Sequence, residues 1–255
     1  KSRGEAKPTI FSFQNGLQTV TDALAAGVPR GAITLNATLD SLLPGPKWNV
    51  VWHDESDTHT QSFDGIIVAL PAPALAQLRI GALGERPLAA LDAVEHAPVS
   101  SLFLGFRREQ VKHALDGFGV LLPAAEKRSV LGILFSSSVF DHRAPAGHVA
   151  LTVMVGGTRR PELAALPTDQ LLTVVREDLS SLLGVTGDPV FVRHTFWPRA
   201  IPQYNLGYEQ YLGAISTVEH AHPGLFIGGQ ARDGIALPSC LLAGESLARR
   251  AASVV

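Results

Sequence analysis

The residues best placed for chemistry lie near the end of the chain, in Gly224-Leu-Phe-Ile-Gly-Gly-Gln-Ala-Arg-Asp-Gly-Ile-Ala-Leu-Pro-Ser-Cys240. Glycines at 228, 229 and 234 let a backbone come close to a ligand. Pro238 before Ser239 is a sound helix start, and the exposed amides of such a start carry partial positive charge. A terminus of this kind suits an anion. The same residues also describe an ordinary glycine-rich turn between a strand and a helix.

Other groups with chemical potential have simpler readings. His220 and His222 lack the cysteine or carboxylate companions of a metal site and read as a solvated loop before Pro223. Asp54, Glu55 and Asp57 do not keep calcium-loop spacing and read as a polar hairpin tip. Ser136 to Ser138 have no flanking glycines of a nucleophile elbow. Arg249 and Arg250 suit a helix C-terminus through its dipole, and Trp48 and Trp52 alternate onto one face as core residues do. No residue emerges as a catalytic acid, base or nucleophile, and no metal is expected.

Composition narrows the classes further. The chain has 255 residues, 46% apolar and 17% charged, with 21 basic against 23 acidic side chains and one cysteine, Cys240. This describes a chain that buries a core, which excludes disorder, collagen and coiled coil. No run of one sign suggests a nucleic-acid track, and a single cysteine permits no internal disulfide. No apolar run reaches the roughly 18 residues of a membrane span. The expected location is cytoplasmic, with at most peripheral contact with the cytoplasmic membrane. The sole methionine is Met154 and the first residue is Lys1, so the chain is expected to be a fragment or processed piece.

The elements that would position these residues follow from periodicity. Leu17, Val20 and Leu24 predict a helix over 16–26 after the turn residues Gln14 to Gly16. Short β-rich runs are predicted at Ile33 to Leu35, Leu39 to Leu43, Trp48 to Trp52, Thr60 to Phe63 and Ile66 to Leu70. The last is apolar throughout and should be buried on both faces, as in a parallel or central strand. A helix is predicted around Pro87 to Val94.

Three strands then show a heavy and a light face. Phe118, Val120 and Leu122 oppose Gly119 and Leu121; Leu131, Ile133 and Phe135 oppose Gly132 and Leu134; Val149, Leu151, Val153 and Val155 oppose His148, Ala150, Thr152 and Met154. Strand glycines mark close approach of a ligand or another backbone, so the light face either floors a cavity or is covered by a helix. A helix over 169–183 has Leu171, Val175, Leu179 and Leu182 on one stripe, Thr168 as its cap and Gly184 past its end. Strand Val190 to Phe196, a helix near Tyr208 to Glu219, a buried strand Leu225 to Ile227, a loop from Gly228 to Leu237 and a final helix from Ser239 to Ala252 complete the chain.

The stretches Phe11-Ser-Phe-Gln-Asn-Gly-Leu-Gln-Thr-Val-Thr-Asp-Ala-Leu24, Gly132-Ile-Leu-Phe-Ser-Ser137 with Phe140-Asp-His-Arg-Ala-Pro145, Val155-Gly-Gly157, and Trp197-Pro-Arg-Ala-Ile-Pro-Gln-Tyr204 with Asn205-Leu-Gly-Tyr208 resemble the protoporphyrinogen oxidase family. The tail from Gly224 to Leu247 is similar to that family's flavin-contacting end. The matches keep the family's order and correspond to its C-terminal half.

The resemblance implies a mixed α+β and α/β fold: part of an FAD-binding domain of the p-hydroxybenzoate hydroxylase type, interleaved with a mixed-sheet-plus-helices substrate domain. The implied segments are 1–71 and 193–255 for the FAD domain and 72–192 for the substrate domain. It also implies FAD contacts at Leu39, Trp197, Ile235, Ala236 and Leu237, and substrate contacts at Leu121, Leu134 and Met154. Reduced flavin carries its charge at N1 and the adjacent carbonyl, which the final helix start would favour.

Two family features have no counterpart here. No Gly-x-Gly-x-x-Gly stands at a strand-to-helix turn, and the family's arginine for the substrate carboxylate lies outside the matched half. The implied activity is six-electron oxidation of protoporphyrinogen IX to protoporphyrin IX, with O2 reduced to H2O2, in haem biosynthesis. The alternatives are a coproporphyrinogen-preferring oxidase, another amine oxidase-like desaturase, or a non-catalytic porphyrin-binding scaffold. The expected partners are the porphyrinogen, an N-terminal FAD-binding half that completes the fold, and a second copy of the chain.

Overall fold

The computed structural model describes residues 11–253. Helix α1 (Gln18–Ala26) precedes strands β1 (Thr38–Leu43), β2 (Trp48–His53), β3 (Thr58–Phe63) and β4 (Ile66–Val68). After α2 (Ala72–Leu75) and a 3-10 turn (Ala89–Ala93) come β5 (His96–Arg107), β6 (Gly119–Leu121), β7 (Val130–Leu134), α3 (Ser136–Val139) and β8 (His148–Gly156). Then follow α4 (Pro161–Ala164), α5 (Thr168–Leu183), β9 (Phe191–Pro202), α6 (Glu209–Ala221), β10 (Leu225–Ile227), α7 (Gln230–Asp233) and α8 (Leu237–Ala252). The mixed fold is as expected.

Among the described residues, one compact unit takes 11–35 and 100–196 and the other 36–99 and 197–253. Residues 72–99, read from the sequence as substrate-domain chain, bury Leu75, Leu88 and Leu91 in one core with Leu42 and Leu225 of the second unit.

The first unit is built on a five-stranded sheet of order β6-β7-β8-β5-β9. Its core gathers Ile133, Leu151 and Val153 from the predicted heavy face, with Leu171, Val175, Leu179 and Leu183 of α5. Two predicted orientations are corrected. Register slips between Val130 and Gly132, so Val130 rather than Leu131 enters the core. Asp178 of α5 stabilises the slip: its buried carboxylate accepts the amides of Ser129 at 2.9 Å and Val130 at 3.1 Å and takes Arg128 at 3.2 Å. Phe118, predicted on the core face, is half-exposed instead, next to Gly119 with φ +155°.

Interior strand β5 is absent from the sequence reading. Pro98 and the pair Ser100-Ser101 obscure it, although Leu102, Leu104 and Phe106 alternate into the core. Ser100 is nonetheless fully buried. Its hydroxyl donates to the Ala164 carbonyl at 2.6 Å and accepts from His194 Nε2 at 2.8 Å, while His194 Nδ1 lies 3.0 Å from the Thr168 hydroxyl. That assignment of the imidazole protons satisfies every group. Thr168 is therefore the first helical residue and a partner of His194, not the cap; Pro167 takes the cap position.

The second unit holds the antiparallel meander β1-β2-β3 and a parallel pair β10-β4. Trp48 enters the core and gives its indole N–H to Pro223 O at 3.1 Å. Trp52 stacks instead on His59, with centroids 5.3 Å apart. β4 pairs in parallel as expected but is not buried on both faces, because Ile67 is 46% exposed. No strand forms at Ile33 to Leu35, which lie on the surface, and the 228–237 loop contains the single turn α7.

No helix among the described residues is long and apolar enough to cross a membrane. No three His, Cys, Asp or Glu side chains among them gather as metal ligands.

Candidate functional site

In the first unit the light face of the sheet carries two adjacent rows. Leu121, Gly132 and Met154 are direct partners across β6, β7 and β8, and Gly119, Leu134 and Thr152 form the neighbouring row. The three residues expected at the substrate thus share one face, although they are far apart in sequence. Leu121 is 85% exposed, while Leu134 and Met154 are half-buried.

The two glycines of this face answer to neighbouring backbone. A Cβ on Gly119 would lie 2.2 Å from Ile133 O, and one on Gly132 would lie 2.9 Å from Val120 O. They are glycines because the strands approach closely, and Leu121 leans over Gly132.

Beside this face opens an apolar pocket of about 340 Å³, lined by Leu134 together with Leu17, Phe103, Phe118, Val139 and Phe140. Leu121 and Met154 lie outside it on the same sheet face. The polar groups of the pocket wall are Ser12, Ser136 and Arg143. Ser136 is engaged with Thr152 at 2.7 Å. Arg143 Nη2 donates to Ser12 Oγ at 3.1 Å and Phe13 O at 3.0 Å, and its guanidinium lies 5.8 Å from the Phe140 ring centre. Arg143 falls within a stretch quoted above. Its reach to Ser12, 131 positions earlier, has no local sequence signal.

In the second unit, Ile235, Ala236 and Leu237 form the exposed entry to α8, Trp197 is 54% exposed on β9, and Leu39 is half-buried on β1. Helix α8 starts at Leu237, two residues before the predicted Ser239, with Ala236 at the cap position and no side-chain cap. The Cys240 amide already bonds Ala236 O at 3.0 Å. The amides of Leu237 and Ser239 are left to present the positive end of the helix, since Pro238 has none. No acidic residue occupies the first turn.

The loop ahead of α8 is fastened from beneath. Tyr204 donates to Gln230 O at 2.5 Å and Tyr208 to Ala231 O at 2.8 Å. Burial, reinforced by Tyr204 and Tyr211, pushes the Tyr208 hydroxyl up to about 12, and burial also raises Tyr204, so both remain donors. Glu219, with its side chain 9% exposed, takes Arg232 at 2.8 Å, Arg250 at 3.0 Å and the Ile227 amide at 2.7 Å. Burial opposes its ionisation, but the Ile227 amide and the two guanidiniums outweigh it and hold the carboxyl below the usual range. Arg250 also lies over Phe226, centroid distance 5.2 Å, so its role is this contact rather than the helix dipole alone.

The fold just described recurs in flavin-dependent amine oxidase-like enzymes. A solved structure from Exiguobacterium sp. 255-15 superposes with a TM-score of 0.78 at 21% identity, covering 94% of this chain and 51% of that one. The family described as flavin containing amine oxidoreductase matches residues 2–252, and the chain belongs to that family. It is 34% identical over 249 residues to the mitochondrial protoporphyrinogen oxidase of Nicotiana tabacum, covering 92% of this chain and 49% of the relative. It is 24% identical to coproporphyrinogen III oxidase of Staphylococcus aureus, covering 95% and 52%. The chain spans about half the length of these curated relatives.

The family implies FAD. The residues present fit one part of it: an uncapped helix start free of acidic side chains, beside exposed Ile235 and Leu237, suits a flat ring that becomes negative on reduction. They do not supply a glycine-rich pyrophosphate cradle, which this sequence lacks.

Proposed function

We propose that this chain is the C-terminal portion of an FAD-dependent porphyrinogen oxidase of haem biosynthesis, with protoporphyrinogen IX as substrate. The carrying observation is the shared sheet face of Leu121, Leu134 and Met154 beside an apolar pocket. Such a surface holds a flat macrocycle without supplying a side-chain acid or base. The likeness to the tobacco enzyme supports the substrate class.

The substrate loses six electrons in three two-electron steps, each removing a hydride from a methylene bridge and a pyrrole N–H proton; a tautomeric shift of one remaining bridge hydrogen to nitrogen completes the balance of four bridge hydrogens and two N–H hydrogens lost. FAD held against these residues would supply the hydride acceptor and the route of the electrons to O2, with H2O2 as the reduced product. The chain's own residues bind and orient. Leu134 and its aromatic neighbours exclude water from one edge of the ring; Leu39, Trp197 and Ile235 to Leu237 would touch the cofactor's two ends. Ser136 and Thr152 are hydrogen-bonded to each other and are not placed as a free base.

The proposal includes a nucleotide-binding βαβ segment as partner. Parallel sheets are ordinarily covered on both faces, whereas Ile67 of β4 and Leu241 and Leu242 of α8 are each exposed in the second unit. A second copy of the chain is the other candidate cover. It also includes a cytoplasmic location with at most peripheral membrane contact.

The test is aerobic turnover by the chain combined with a family nucleotide-binding half and FAD, followed by porphyrin fluorescence and H2O2. Faster conversion of protoporphyrinogen IX than of coproporphyrinogen III is expected. The reverse preference would establish the coproporphyrinogen reading, and porphyrin binding without turnover would establish the scaffold.

A further inference from the structure

We infer that Arg143 makes the pocket beside Leu134 a subsite for a carboxylate carried on an apolar ligand. The inference rests on the macrocycle reading above and names the group that would fix the ring's orientation. Three observations carry it.

First, the pocket of about 340 Å³ is walled mainly by apolar side chains, and no carboxylate of the described residues lines it. Among the described residues no carboxylate balances the guanidinium, and charge-assisted hydrogen bonds to such a group are the strong ones. Second, the guanidinium is held in place. Nη2 is bound by Ser12 Oγ and Phe13 O, and Cζ lies over the Phe140 ring, 5.8 Å from its centroid. Third, Nη1 and Nε make no hydrogen bond, and the side chain no ion pair, with any other described residue. Among the described residues nothing competes with an incoming anion for those donors.

The size fits part of a ligand. The volume stands near the low end of the ~300–1,000 Å³ common for small-molecule sites, enough for an edge bearing a carboxylate arm. The rest of a flat ring would extend over the sheet face toward Met154 and Leu121. Together these specify a broad apolar ring with a peripheral acid, which matches a porphyrin propionate and discriminates against the same ring esterified.

The experiment uses the 255-residue chain combined with the same nucleotide-binding half and FAD, and two probes, protoporphyrin IX and its dimethyl ester, titrated in the same detergent buffer and followed by porphyrin fluorescence. Wild type should bind the free acid about ten-fold or more tighter than the ester, the range of one charged hydrogen bond. Arg143→Met should abolish that difference without weakening the ester, and Arg143→Lys should keep part of it. Equal affinity of the two probes for wild type would overturn the carboxylate subsite while leaving the macrocycle reading intact, and this comparison requires no variant to fold. Full discrimination by Arg143→Met with an unchanged far-UV spectrum would also overturn it. Binding of neither probe would remove the macrocycle reading and the subsite together.

Discussion

Glu219 and Arg250 are 31 positions apart in sequence and 3.0 Å apart in space, and the pair ties α6 to α8 behind the loop that leads to Ile235. Arg232 closes the same carboxylate from within that loop at 2.8 Å. Removing the carboxylate leaves two guanidiniums and the Ile227 amide without their acceptor. Glu219→Ala should destabilise the second unit by about 1–3 kcal/mol, the cost of unsatisfied buried donors; urea unfolding measures it, and an unchanged midpoint would show that the contacts contribute nothing.

The same carboxyl gives a pH dependence. Its folded value lies below the ordinary one, so its contribution is fully present above the unfolded glutamate value of about 4.3 and is lost as pH falls through the lower folded value. Wild type should lose thermal stability below about pH 4 more steeply than Glu219→Gln. Parallel curves for the two proteins would assign acid sensitivity to other groups.

Ser100, His194 and Thr168 form a buried line that joins β5, β9 and α5. Ser100→Ala leaves both the Ala164 carbonyl and one imidazole N–H unpaired, for a loss of roughly 1–3 kcal/mol. The porphyrin affinity of the folded variant should not move, since none of these residues lines the pocket.

Gly119 admits no side chain. A Cβ would stand 2.2 Å from Ile133 O, at a φ of +155°. Gly119→Ala should cost at least about 1–3 kcal/mol and loosen β6 from β7, which faster hydrogen exchange at Leu121 and Leu134 would report.

Leu134→Asp would set a carboxylate against the apolar ring and its aromatic neighbours, and burying it unpaired costs several kcal/mol unless it takes a proton. Porphyrin affinity should fall about ten-fold or more at neutral pH and recover partly in acid. An unaltered titration would take Leu134 out of the binding surface.

The 255 residues alone should retain no stoichiometric FAD after desalting and show no porphyrinogen oxidation. This expectation follows from the missing Gly-x-Gly-x-x-Gly, because amide contacts to the pyrophosphate ordinarily anchor the dinucleotide. Flavin absorbance at one equivalent would show that Leu39, Trp197 and the 235–237 loop hold it without that cradle.

Local pattern by itself determined much of this protein. The 3.6-residue stripe of Leu171, Val175 and Leu179 specified α5, and strict alternation specified β8, since each period is a property of neighbours in sequence. Ordered motifs from Phe11 to Leu247 specified the family. Alternation also put Leu121, Leu134 and Met154 on light faces.

Tertiary structure decided what depends on distant partners. The slip at Val130 exists because Asp178, 48 positions later, captures its amide. β5 stayed hidden because its buried serine is satisfied by Ala164 and His194, 64 and 94 positions away. Arg143 became a candidate anchor only when the fold brought Ser12, Phe118 and Leu134 around it. Periodicity records which way a side chain points along its own element. What it meets there is set by loop closure and packing, and those act between residues that no local window contains.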